Sequence, residues 1–228
     1  MSIRCNFLSC LACLALLAAA PARAANWNIA IGNWLVLDTT SVSASELSGV
    51  TYLGPAPTAG QHRFLAVQDN GNGLVAFDAA FDFTGQLVSA TAIAGQPLAT
   101  SFDDEGIAHV EGTVFVSEET HPGVAQYDPA TGNLLQSVPL PAVFTSHSRP
   151  NFGLESLTYD AANSTLWTAN EEALTVDGPL ATSGAASTVR LLALDTSGPS
   201  AGQQFAYLGE PIHGLALGSA RSGLVDLV

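Results

Sequence analysis

The 228-residue chain is only 11% charged, and its charge is one-sided, with twenty acids against six arginines and no lysine. Without lysine it has neither a Walker-type phosphate loop nor a Schiff-base amine, and a net charge of −14 leaves little to neutralise nucleic-acid phosphates, so no nucleic-acid partner is expected. Its three cysteines, Cys5, Cys10 and Cys13, sit together near the start, which excludes disulfides, thiolate zinc sites and cysteine nucleophiles from everything beyond.

The opening "MSIRCNFLSCLACLALLAAAPARAANW" has Arg4 in a basic start, an apolar run from Phe7 to Ala20, and Ala22-Arg23-Ala24 before Ala25. This layout predicts a secretory signal peptide over residues 1–24, cleaved after Ala24, and a secreted or periplasmic protein. The apolar run is short for a stable membrane span. Cleavage would leave four arginines against twenty acids, a net charge of −16, on about 204 residues, enough for one sizeable domain over 25–228.

From residue 25 the chain reads as β. Runs such as "RFLAVQ", "GTVFVS", "STLWTA" and "VRLLAL" are short, rich in branched and aromatic residues, and bounded by Gly, Pro, Asn and Asp. No segment keeps a helical period over three turns.

A repeat organises these runs. The first unit begins with "SGVTYL" at residue 48, continues with "FLAVQDN" carrying Asp69, and reaches Phe77-Asp78. Within it "GNGLVA" fits a glycine-rich dinucleotide pattern, but "FDAAFDFTG" follows it, with no helix start to receive a pyrophosphate. The second unit begins with "EGIAHV" at residue 105, followed by "VFVSEE" with Glu118 and by Tyr127-Asp128. The third begins with "ESLTYD" at residue 155, followed by "WTANEE" with Glu171 and by Leu194-Asp195. "SGLVDL" at residue 222 opens a fourth, so the starts are 57, 50 and 67 residues apart.

Those periods predict an all-β, β-propeller-like fold of about three blades plus the first strand of a fourth, incomplete at the C-terminus. Three blades and a strand would leave open sheet edges. Truncation of a longer reading frame is the expected reason, with completion by a partner chain as the alternative.

The stretch "SFDDEGIAHVEGTVFVSEET", residues 101–120, holds six of the twenty acids. Pairing "EGIAHV" with "TVFVSE" around a two-residue turn at Glu111-Gly112 places Glu105 opposite Glu118, a destabilising juxtaposition that a shared proton or a cation would relieve. Glu155 and Glu171 take the equivalent places in the third unit, while Asp69 matches Glu118 in the first, where Ser48 replaces the other acid. Asp69, Glu105, Glu118, Glu155 and Glu171, with Glu119 and Glu172 next in line, are therefore expected to ring one end of the fold as candidate metal ligands. A ring of carboxylates without thiolates or clustered histidines suits a hard cation, Ca²⁺ before Mg²⁺. The competing reading leaves these acids as turn residues and solvated strand ends.

The ordered series "DDEGIA…VFVSEE…YDPATG…PLP…NFGLESLTYD…LWTANEE" resembles the phytase-like propeller family of secreted bacterial proteins, labelled for esterase-like activity, from about Leu47 to the end. The family extends further at its C-terminus. The resemblance carries its acidic positions onto Asp69, Glu105, Glu118, Glu155 and Glu171, and departs from this chain at Ser48. It implies calcium-assisted hydrolysis of a small anionic phosphate ester, with Glu105 and Glu155 as catalytic candidates and Arg149, near His147 and Asn151, as a candidate phosphate contact. Arg149 would otherwise simply pair with a nearby acid.

His109 and Tyr159, at one aligned strand position, are expected to pack, and His121 to be a solvated loop residue or a ligand. No G-x-S-x-G elbow and no H-E-x-x-H motif occurs. The competing functions are a non-catalytic, calcium-stabilised binding propeller and a gluconolactonase-like metal-dependent hydrolase.

Overall fold

The structure is a computed structural model that describes residues 35–70, 73–100, 103–196, 202–213 and 220–227. The expected signal peptide at 1–24 lies outside the described residues. Three antiparallel four-stranded sheets follow one another along the chain, each strand bonded to the next in sequence. The first sheet holds β1 (Leu47–Pro55), β2 (Gln61–Gln68), β3 (Gly73–Phe81) and β4 (Leu87–Pro97). The second holds β5 (Asp104–Val110), β6 (Thr113–Glu118), β7 (Gly123–Tyr127) and β8 (Leu134–Val138). The third holds β9 (Leu154–Asp160), β10 (Thr165–Asn170), β11 (Thr188–Asp195) and β12 (Gln204–Leu208). A short helix, α1 (Ala142–His147), joins the second sheet to the third and buries Phe144.

The chain is thus all-β with little helix. Among the described residues there is no closed barrel, and no helix is long and apolar enough to cross a membrane. Residues 222–227, expected to open a fourth unit, form no strand; there the Leu224 N–H donates to the Glu171 carbonyl at 2.9 Å.

Packing explains why the strand runs look as they do. In the second sheet Val114, Val116 and Ile107 meet Leu65, Val67 and Leu74 of the first sheet. On the opposite face Phe115, Ala108 and Val124 meet Leu157, Leu166, Leu192 and Leu194 of the third. With both faces covered, β6 is apolar without alternation, and each fully buried Val, Leu or Phe contributes about 1.5–3 kcal/mol. The β5–β6 hairpin closes through Glu111 and Gly112 at φ 48° and 86°, the left-handed pair a two-residue turn requires.

One irregularity recurs in all three sheets. Pairing runs from Leu47↔Gln68 to Val50↔Ala66, from Asp104↔Glu118 to Ile107↔Val116, and from Leu154↔Asn170 to Ser156↔Ala169. Each first strand therefore carries one extra residue, a β-bulge, near its start. In the second sheet the Gly106 N–H displaced by the bulge donates to Ser117 Oγ at 2.9 Å. The first strands of successive sheets also lie side by side, β1 against β5 and β5 against β9. Glycine permits this approach, since a Cβ at Gly49 would sit 2.5 Å from the Glu105 carbonyl oxygen and one at Gly106 would strike the backbone of Leu157. A cavity of about 620 Å³ runs between these strands, with His109 and Tyr159 on its wall; Tyr159 also packs against the core.

Candidate functional site

The bulges give Ser48, Glu105 and Glu155 equivalent places in their sheets, and the three converge. The Ser48 hydroxyl donates to Glu105 Oε2, and carboxylate oxygens of Glu105 and Glu155 lie within 4.8 Å of each other. The residue just past each second strand joins them. The N–H of Asp69 donates to the Glu46 carbonyl at 2.8 Å, that of Glu119 to Asp103 at 2.9 Å, and that of Glu171 to Gly153 at 2.8 Å. Asp69, Glu119 and Glu171 are therefore the structural equivalents.

Two carboxylate triads result, Asp69–Asp103–Glu105 and Glu105–Glu119–Glu155, each offering three oxygens mutually within 4.8 Å. Glu105 belongs to both. The acids line a cavity of about 370 Å³ with Asn70, Thr120 and Asn151. The Thr120 hydroxyl donates to Asp103 Oδ2, and Asn151 holds its corner with a left-handed φ of 59°.

Gathering this charge in a partly buried place raises the pKa of its members. Burial, then the charges of Glu105, Glu119 and Glu171, push the Glu155 carboxyl up to about 9. Burial and the charges of Asp103, Glu105 and Glu171 raise Glu119 to about 7. Burial and a hydrogen bond with Asp103 raise Asp69 to about 6, with the neighbouring carboxylates adding to it. Glu105 is raised by burial and held back by the Ser48 hydroxyl. At neutral pH the metal-free cluster keeps protons that isolated carboxyls would lose.

The residues fit a hard cation. Glu119 is only 3% exposed, and its Oε1 and Asp69 Oδ1 are buried without a hydrogen-bond partner. All donors in the two triads are carboxylate oxygens, the set that calcium takes and that softer metals do not prefer.

Several expectations need correction. Glu105 does not face Glu118: the inferred pairing holds from Ile107↔Val116 to Val110↔Thr113, but the bulge shifts it, and Asp104 lies opposite Glu118. Glu118 consequently belongs to neither triad; it lines a separate cavity with Asp104 and Tyr127 and accepts the His121 N–H at 2.8 Å. His121 Nδ1 lies 3.3 Å from the same carboxylate, so this histidine braces Glu118. Matching Asp69 with Glu118 was off by one residue.

Among the described residues Arg149 pairs with no acid. Its Nε donates to the Ala173 carbonyl at 2.8 Å and its Nη2 to Gly178 at 2.9 Å, pinning the loop after β10. His147 Nδ1 stands 3.3 Å from Thr175 Oγ1 of that loop. Glu171 lies outside the triads but within electrostatic reach of Glu105, and its own carboxyl is raised by burial and by Glu172. Asp103 was not singled out from the sequence, and Glu119 stood only next in line there. The signal for the shift was Gly106, since a glycine inside a strand marks a bulge.

A family model described as Phytase-like, esterase-like activity of phytase, matches residues 43–228. No curated protein matches the chain. Among solved structures it is similar to the hydrazine synthase of Kuenenia stuttgartiensis, at 10% identity and TM-score 0.34, over 75% of this chain and 53% of that one. It is also similar to the computationally designed Ika8 protein, at 10% identity and TM-score 0.29, over 83% of this chain and 70% of that one. The chain therefore spans about half the length of the hydrazine synthase chain.

Proposed function

The chain belongs to the phytase-like family over residues 43–228, and from that premise we propose that it is a secreted, calcium-dependent phosphoester hydrolase whose sheets are blades of a propeller. The propeller reading is supported by the sequential strand order of each sheet and by the side-by-side first strands. Export rests on the signal-like residues 1–24.

The observation that carries the proposal is the pair of carboxylate triads sharing Glu105, with a buried, unpartnered oxygen in each, Asp69 Oδ1 and Glu119 Oε1. Asp69, Asp103 and Glu105 would hold one calcium, and Glu105, Glu119 and Glu155 another. Bound there, calcium supplies positive charge that offsets a phosphate group's own and lowers the pKa of water beside it. The chain's residues supply placement. Glu105 sets the spacing of the two triads, and the hydroxyls of Ser48 and Thr120 orient Glu105 and Asp103. The burial of Glu119 keeps bulk water from its side of the site.

Turnover of p-nitrophenyl phosphate in calcium and in EDTA tests this. Hydrolysis that needs calcium and disappears in Glu105→Gln is the expected result. Calcium-dependent stability without turnover would favour the binding-propeller alternative, and lactone opening without phosphate release would favour a gluconolactonase-like enzyme.

A further inference from the structure

Beyond residue 24 the chain has four arginines and no lysine, so an anionic substrate has few cations to meet. Three of the four are committed. Arg63 donates to both Asp78 oxygens at 2.8 and 2.9 Å, Arg149 to two loop carbonyls, and Arg190 to both Asp177 oxygens at 2.6 Å and to Gln204 at 2.8 Å. Arg221 differs. Its Nη1 forms an ion pair with the buried Glu172 Oε1 at 3.6 Å, too long for a hydrogen bond, and its side chain is 49% exposed.

Its position is nevertheless fixed. The guanidinium carbon lies over the Phe152 ring, 4.3 Å from its centre, a cation–π contact that holds the group in place. Phe152 follows Asn151, on the wall of the carboxylate cavity. The segment carrying Arg221 is tied down by Ser222 Oγ donating to the Glu210 carbonyl at 2.6 Å and by the Leu224 N–H on Glu171. A Cβ at Gly223 would meet Glu171 Oε1 at 2.6 Å, so this segment passes directly over the acid.

We propose that Arg221 is the anion-anchoring residue of the site, a guanidinium stacked on Phe152 that binds the phosphate oxygens of a substrate held beside the triads. This inference rests on the phosphate-ester reading. Stacking leaves the guanidinium edge open for a two-pronged bond to phosphate, the geometry arginine offers and lysine does not. Glu172, 2% exposed with Oε2 unpartnered, fixes the inner side of the group through its ion pair with Nη1, which is longer than a hydrogen bond.

The test is titration of phenylphosphonate, a non-hydrolysable phosphate-ester analogue, into the calcium-loaded full chain, with p-nitrophenyl phosphate turnover measured alongside. Arg221→Gln is expected to weaken phenylphosphonate binding about tenfold or more, the loss expected when a hydrogen bond to a charged group is removed. Arg221→Lys should recover part of that loss and melt near the wild type in the absence of ligand, while Arg221→Gln, which leaves the buried Glu172 without its ion-pair partner, should melt lower. If Arg221→Gln melts lower, Arg221→Lys carries the test through an intermediate affinity. Unchanged affinity in both variants, or no binding by the wild type, overturns the proposal. Wild-type binding that depends on Arg221 without turnover would uphold the anchor and sink the hydrolase.

Discussion

Adding calcium to the metal-free chain at pH 7 is expected to drive protons off the carboxylate cluster. The cation needs ionised ligands, and Glu155, Glu119 and Asp69 hold their protons up to about 9, 7 and 6. At pH 7 the cluster, Glu155 above all, still holds protons, so filling both triads releases them. As the pH rises towards 9 the cluster loses its protons beforehand and the release shrinks. Isothermal titration of calcium in buffers of different ionisation enthalpy counts these protons directly. A release near zero at pH 7, with calcium still binding, would refute the crowding of Glu155 by Glu105 and Glu119.

Other outcomes follow from the same arrangement. Glu105→Gln removes a ligand from both triads and should weaken calcium binding at least about tenfold, while leaving EDTA stability level or higher because it relieves like-charge repulsion; a large loss of EDTA stability would count against that crowding. Glu118→Gln, outside both triads, should leave calcium affinity within about twofold by titration. In EDTA the melting temperature should fall as pH rises: the Glu155 pKa is raised from 4.5 to about 9, so its contribution is fully present below about 4.5 and lost on passing through 9. A melting temperature rising across that range would contradict the sign. Arg149→Gln should cost about 1–3 kcal/mol by denaturant unfolding, because two loop carbonyls lose their donor, and should leave phenylphosphonate affinity unchanged.

Much of this was legible in the residues. The repeat gave three sheets in order, and the Glu111-Gly112 turn correctly paired Val110 with Thr113 and Ile107 with Val116. Period-two reasoning then failed at one point. A bulge breaks the alternation, so extending the register past Gly106 sent Glu118 to the wrong side and left Glu119 undervalued. Gly106 was the available clue in the second unit; in the third, Ser156 stands in its place and gives no such warning. Asp103 lies before β5, where a sequence reading sees only an acidic approach to a strand. Arg149 misled because its partners, the carbonyls of Ala173 and Gly178, are backbone groups more than twenty residues away. Nothing in "SHSRPNFG" names them.

Whether the shared-Glu105 cluster binds calcium is decided by a thermal melt of the chain in EDTA and then in millimolar calcium. Calcium at about a hundredfold over its dissociation constant adds about 2.7 kcal/mol for each site filled, which raises the melting temperature of a domain this size by about 5–10 °C per site. That rise, cut to about half or less in Glu105→Gln and kept in Glu118→Gln, is the expected result. A cooperative melt indifferent to calcium would contradict the account and return these acids to turns and solvated strand ends.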